Sequence, residues 1–278
     1  MRAAKQKQSG KTNTNILDNI ADYFDSYGDR WIDVYQDEKE RWYEYYPLRL
    51  REKYALLLTE NENKGTAIDL GCGTGHALIQ MKKMGFQRVI GVDISDSMLR
   101  SAEKLIGDNN LSDSIKLFKC DVQKLSMVQS NSIDVCTALG VIEYLEKDEP
   151  LLSEISRILK PNGVAIVQTR NYCCVRSRTV ESFRKILPFY RSRISFRKHK
   201  PSSFRCKVEA CGYTLECERY AHYYALYPLD IIPGIRTVIK PIDNFLNKKL
   251  ERLSTNPLSL YFASMYIAKL RKVNVVNG

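Results

Sequence analysis

No stretch of this 278-residue chain approaches the roughly 18 consecutive apolar residues that a membrane-spanning helix requires. Residues 1–15 are polar and lysine-containing and lack an apolar h-region, which reads as a disordered tail and not a signal peptide, and points to a cytoplasmic protein. The eight cysteines, Cys72, Cys120, Cys136, Cys173, Cys174, Cys206, Cys211 and Cys217, include no C-x-x-C pair. In a reducing compartment they read as free thiols. Grouped with His199 or His222, Cys206, Cys211 and Cys217 match no familiar zinc spacing, so no metal is expected. No internal repeat divides the chain, and its length suits one domain with a full core.

Charge is in excess of one sign, but only in one place. The net charge is +11. From Arg170 to Lys207 there are twelve Arg or Lys and a single acid, Glu181, so this segment carries the whole excess and the rest of the chain is neutral. A charge run is usually solvated surface. Here it is interleaved with apolar and aromatic residues, among them Phe183, Ile186, Phe189, Tyr190 and Phe196, which also suits a helix lying on an anionic membrane.

The most informative stretch is Ala67-Ile68-Asp69-Leu70-Gly71-Cys72-Gly73-Thr74-Gly75. An apolar run, closely spaced glycines and then a helical pattern predict a strand, a tight turn and a helix. Glycine lets a ligand approach the main chain, and the free N–H groups of a helix start suit an anion. Strands are expected near Ala67–Leu70, Arg88–Val92, Ile115–Phe118, Ile133–Leu139 and Val164–Thr169. Helices alternate with them near His76–Met84, Ser97–Ile106 and Glu149–Leu159, the second capped by Ser95 or Asp96 and the third ended by a turn at Lys160-Pro161-Asn162-Gly163. Such alternation predicts a doubly wound α/β fold, with ligands at the carboxyl ends of a mostly parallel sheet. Ahead of it, Ile16–Phe24 and Pro47–Leu58 read as helices. Beyond it come a helix at Pro201–Cys211, strands at Tyr213–Tyr220 and Leu260–Leu270, and a helix from Pro241 with Ile242, Phe245, Leu246, Leu250 and Leu253 on one face.

A dinucleotide fingerprint needs G-x-G-x-x-G, but here the third glycine arrives one residue early and His76 holds the later place. Asp69 would repel a pyrophosphate and suits a ligand carrying positive charge. S-adenosylmethionine has an ammonium and a sulfonium, with a carboxylate for the helix start. Asp93 ends the second strand, placed to accept ribose hydroxyls, and Asp121 follows the third, placed for the adenine amino group. Three acids at three successive strand ends are a more specific signal than the glycines.

With these residues the chain resembles the class I S-adenosylmethionine-dependent methyltransferases. The matching stretches are Ile68–Gly75, Gly91-Val92-Asp93-Ile94-Ser95, Asp121-Val122, Ile133–Leu145 and Leu159-Lys160-Pro161-Asn162-Gly163. The resemblance implies a Rossmann-like seven-stranded sheet with its last strand antiparallel. It also implies S-adenosylmethionine as cofactor, contacted by Asp69, Gly71, Cys72, Gly73, Gly75, Asp93, Ile94, Asp121, Val122 and Leu139. Tyr23-Phe24-Asp25 with Trp31 and Tyr35 looks like the N-terminal region of small-molecule O-methyltransferases. Tyr23, Trp31, Tyr35 and Tyr144 are therefore expected to meet the acceptor.

Methyl transfer is an in-line displacement in which alignment of the reactants supplies much of the rate. A hydroxyl acceptor also needs a base. Glu143, His222 and His76 are the candidates: Glu143 follows the fourth strand, His222 ends the sixth, and His76 sits at a helix start where the dipole disfavours its protonated form. Each also has a purely structural reading. The resemblance often places a histidine where Tyr144 stands.

The expected organisation is a tail at 1–15 and one methyltransferase domain at 16–278. Within the domain lie an aromatic helical cap at 16–64, a cofactor core at 65–170, a basic lid at 171–200, and a C-terminal helix and hairpin at 201–278 with an insertion at 228–256. Cap, lid and insertion should converge over the transferred methyl. The expected function is methylation, at oxygen, of a small or lipid-linked acceptor, with an anionic membrane surface as a further partner. The alternatives are N- or C-methylation of a small molecule, or an RNA methyltransferase using segment 170–207 as a phosphate track. Nucleic acid is disfavoured because the chain lacks an Asn/Asp-Pro-Pro-Tyr/Phe loop and a Pro-Cys nucleophile.

Overall fold

The computed structural model describes residues 16–26, 42–186, 196–223 and 235–273. Helices α1 (Ile16–Asp25) and α2 (Trp42–Leu58) precede β1 (Thr66–Leu70), α3 (His76–Lys83), β2 (Arg88–Asp93), α4 (Asp96–Asp108), β3 (Ile115–Lys119) and β4 (Ile133–Leu139). A 3-10 turn at Ile142–Tyr144 leads to α5 (Glu149–Ile158), β5 (Leu159–Arg170), α6 (Val175–Ile186), α7 (Pro201–Ala210) and β6 (Tyr213–Tyr223). Helix α8 (Ile235–Leu250), a 3-10 turn at Glu251–Leu253, the short α9 (Ser259–Phe262) and β7 (Ala263–Lys272) complete the order.

The seven strands form one sheet in the order β3-β2-β1-β4-β5-β7-β6. Strands β1 to β5 pair in parallel, and β7 lies antiparallel between β5 and β6. Side chains alternate across the sheet, so each strand feeds two cores. Ile68, Leu70, Cys136, Ala165 and Val167 pack with Leu151, Leu152, Ile155 and Ile158 of α5 and with Phe204 and Val208 of α7. Ala67, Val89, Val135 and Val164 pack with α3 and α4 through Leu78, Met81, Leu99 and Ala102. Further along that second face, Leu139, Ile166 and Ile267 pack on Leu50, Tyr54 and Ala55 of α2. The reversal of strand order between β1 and β4 leaves a crevice at their carboxyl ends.

Three expectations change. The Lys160–Gly163 turn lies inside β5: Leu159 pairs with Ile133, the chain loops out through Asn162 at φ +62°, and pairing resumes at Val164 with Val135. Helix α8 begins six residues before Pro241, because proline removes one intrahelical hydrogen bond without ending a helix anchored elsewhere. Ile242, Phe245 and Leu253 are exposed, not on its buried side. Residues 260–262, read as the start of the last strand, belong to α9 instead, and β7 starts at Ala263. Among the described residues no helix is long and apolar enough to cross a membrane.

Candidate active site

A cavity of about 310 Å³ opens at the carboxyl ends of β1, β2, β3 and β4. Its floor is the glycine turn. Gly71 and Cys72 donate their N–H groups to the Val92 carbonyl at 2.7 and 3.0 Å, tying the turn to β2. The Gly73 N–H donates to Asp93 Oδ2 at 2.8 Å, and the Ser95 N–H to Asp93 Oδ1 at 3.0 Å. Asp93 therefore fixes the turn and the start of α4 together. Ser95 caps α4 by accepting from the Met98 N–H at 3.1 Å. Gly73, at φ +52°, has open space where a Cβ would stand, so the main chain is bare toward the cavity.

Gly75 plays a different part from the one expected. It does not line the cavity; a Cβ there would come within 3.0 Å of the Ala102 Cβ, so its smallness brings the turn against α4. Asp69, Gly71, Cys72, Gly73, Asp93, Ile94, Asp121, Val122 and Leu139 all line the cavity. Asp69 is buried and accepts from Thr137 Oγ1 at 2.5 Å. Burial pushes its carboxyl up to about 7, Thr137 and Arg51 pull it back, and Glu52 and Asp93 push it further up. Asp93 is likewise raised, by burial first, against the pull of its backbone donors. Asp121 is half-buried at the end of β3 and holds the Gln123 N–H at 2.9 Å.

Helices α1 and α2 roof the cavity. Asp25, ending α1, accepts from Ser95 Oγ at 2.5 Å and from the Ser97 N–H at 3.0 Å, which docks α1 on the start of α4. Leu17, Ile20, Tyr23 and Phe24 of α1 then line the cavity, as do Leu48, Arg51 and Glu52 of α2. Tyr144 stacks edge-on against Phe24 at 5.4 Å and Phe196 at 5.3 Å between ring centroids. Beside them Glu143, buried, accepts from Arg170 Nε at 3.0 Å, and the Arg170 guanidinium lies 4.1 Å over the Phe196 ring. The second carboxylate oxygen of Glu143 is buried with no hydrogen-bond partner among the described residues.

The three candidate bases separate. Glu143 lies in the cavity wall. His76 lines the cavity too, with its Nδ1 2.6 Å from Glu52 Oε1, so α2 holds the ring. His222 is not among the residues that line the cavity: it sits in β6 at φ +57° with Nδ1 2.7 Å from Ser264 Oγ of β7. Tyr23 and Tyr144 meet at the cavity, whereas Trp31 and Tyr35 lie outside the described residues. Of the basic lid, Phe196 reaches the cavity; of the 228–256 insertion, no described residue does, because α8 packs on α2 and β6 instead. Arg51, Glu52, Thr137 and Arg170 were not singled out from the sequence. They carry no motif and reach the site only through tertiary packing.

Residues 68–167 match the family model described as a methyltransferase domain. These residues hold the glycine turn, Asp69, Asp93, Asp121 and Glu143. They form a class I S-adenosylmethionine-dependent methyltransferase domain. A probable S-adenosylmethionine-dependent methyltransferase of Saccharomyces cerevisiae is 33% identical to the chain over 121 residues, 41% of this chain and 40% of that one. Trans-aconitate 2-methyltransferase of Azoarcus is 31% identical over 113 residues, 40% and 42% of the two chains. The chain spans about half the length of the curated relatives it matches. The fold is also that of magnesium protoporphyrin IX methyltransferase from Synechocystis, solved with bound S-adenosylhomocysteine: TM-score 0.61, 15% identity, covering 93% of this chain and 100% of that one.

The residues of the methyltransferase domain fit its cofactor, S-adenosylmethionine. Bare backbone at Gly73 admits the close approach of a ligand. Asp69 offers a buried carboxylate to an ammonium, and Asp93 keeps lone pairs beyond those that hold Gly73 and Ser95. Arg51, half-buried between Asp69 and Tyr144, is placed for a carboxylate.

Proposed function

We propose that the methyltransferase domain methylates a small organic acceptor at a hydroxyl oxygen, with Glu143 receiving the hydroxyl proton. One observation carries this reading: a buried carboxylate with one oxygen held by Arg170 and the other unpartnered, in a cavity wall shared with Phe24, Tyr144 and Phe196. An unpartnered buried carboxylate oxygen costs free energy that a hydroxyl donor would recover. The aromatic faces would hold a flat or apolar acceptor body, and enclosure under α1 would keep water from competing. Burial raises Tyr144 well above the ordinary phenol value, so it stays neutral and acts as a wall or a donor.

The cofactor supplies an activated methyl group on a sulfonium sulfur. With cofactor and acceptor bound, the free oxygen of Glu143 would receive the acceptor's O–H proton, and Arg170 would keep the carboxylate oriented. Glu143→Gln removes the proton acceptor while preserving shape and the contact with Arg170. With acceptors drawn from phenolic and aliphatic hydroxyl panels and labelled cofactor, the variant is expected to lose on the order of 100-fold in kcat with unchanged cofactor affinity. Full activity in Glu143→Gln, or labelling confined to amine and carbon acceptors, would contradict the oxygen reading.

A further inference from the structure

Helix α8 has two apolar faces, and the fold uses only one. We propose that the other seats the protein on an anionic lipid bilayer. At about 100° per residue, Ile235, Val238, Ile242 and Phe245 fall on one side of α8 within an arc of roughly 80°. They are 38%, 74%, 54% and 59% exposed. On the opposite side Asn247 is buried, accepting the Tyr223 N–H, and Leu250, about 100° round from the middle of the stripe, packs against the main core. The stripe is therefore not a core face that merely frays.

Charge chooses the occupant. The stripe runs into Lys248, Lys249 and Arg252, all exposed, and the Lys249 ammonium lies 5.6 Å from the Phe245 ring centroid. The nearby acids turn inward: Asp243 accepts from Asn247 Nδ2 at 3.3 Å, and Glu251 from Tyr46 and from Lys53 at 2.8 Å. A second copy of the chain would bring two bodies of net charge +11 together. An anionic headgroup layer instead attracts the basic end while the acyl boundary takes the stripe, the arrangement of helices that lie in a membrane interface. Helix α8 packs on α2, whose Leu48, Arg51 and Glu52 line the cavity, so the bilayer contact and the active site share a helix.

Cosedimentation of the full chain with vesicles tests this. The protein is expected to pellet with phosphatidylcholine–phosphatidylglycerol vesicles at low salt and to stay in solution with phosphatidylcholine alone. Val238→Asp combined with Phe245→Asp should lower the partition coefficient on the order of tenfold or more. Lys248→Glu with Lys249→Glu should remove most of the salt dependence. Met127→Asp, an exposed apolar site in the β3–β4 connection, should bind as the wild type does. Circular dichroism and cofactor affinity check that each variant is folded. Failure of the wild type to pellet with anionic vesicles, or stripe variants that bind normally, overturns the proposal. A dimer seen by sedimentation velocity without vesicles and dissociated by the stripe variant also overturns it, assigning the stripe to a second copy.

Discussion

Asp69 shows how one side chain can carry the sign of the ligand it awaits. Its carboxyl sits at about 7 because burial outweighs the Thr137 hydrogen bond and the attraction of Arg51, with Glu52 and Asp93 adding repulsion. A carboxyl raised in the folded state binds a proton there, over the interval from about 4 to about 7, that it does not bind when unfolded. The unliganded protein therefore loses stability as pH rises through that window. A cationic ligand needs the ionised form, so cofactor affinity should rise from about pH 6 to about pH 8. Calorimetric titration checks this, and Asp69→Asn should bind more weakly with a flatter profile. An unchanged slope in Asp69→Asn would assign the pH dependence elsewhere. The acid itself was legible in the sequence from its place before the glycines. Its suppressed ionisation was not, since Thr137 comes from β4 and Arg51 and Glu52 from α2.

At the scale of elements, the segment 196–200 is held over the site by one buried acid. Asp148 accepts from His199 Nε2 at 2.9 Å and Lys207 Nζ at 2.7 Å, and pairs with Arg197 Nη1 at 2.7 Å. Burial alone would raise its carboxyl, but these three donors outweigh it and hold it well below the ordinary range. The Arg197 N–H also donates to the Glu143 carbonyl at 2.8 Å, so the strap fixes the turn that carries Glu143 and Tyr144. Asp148→Ala removes the buried acid that gathers Arg197, His199 and Lys207 and should cost about 3 kcal/mol of stability by thermal or urea unfolding. The contribution of Asp148 is present above the ordinary carboxylate pKa and is lost as pH falls through its lowered value. The variant should therefore show a shallower stability loss below about pH 4. Equal stability of variant and wild type at neutral pH would remove the strap from the account.

Strands β1 and β4 were readable because they are short apolar runs bounded by turns, and their ends match expectation to within a residue; β5 starts five residues before its expected Val164 because Leu159 already pairs with Ile133. Helix α8 was misread because Pro241 resembles a start signal and because Ile242 and Phe245 resemble a core face. A periodic pattern tells that a helix has an apolar side without telling what covers it. The strap was not legible at all. His199 lies 51 residues from Asp148, and the basic run containing it reads as solvated surface.

Across the whole molecule, the methyltransferase domain places its chemistry where the sheet reverses. Strand ends β1, β2 and β3 bring Asp69, Asp93 and Asp121 to one side of the cavity, and the segment after β4 brings Glu143 and Tyr144 to the other. Helices α1 and α2, drawn from outside the residues that match the family model, close the roof. The residues that match the family model thus supply the strand-end acids, and the flanking helices and strap enclose the rest of the cavity.

Asp93 joins those parts, and calorimetric titration of S-adenosylmethionine into the wild type and Asp93→Ala tests the central claim most directly. One-site binding by the wild type is expected, with affinity lowered on the order of 100-fold in the variant, alongside a stability loss of about 1–3 kcal/mol from the freed Gly73 and Ser95 N–H groups. Absence of binding by the wild type, or unchanged affinity in a folded Asp93→Ala, would contradict the assignment of this cavity as the methyl donor's site.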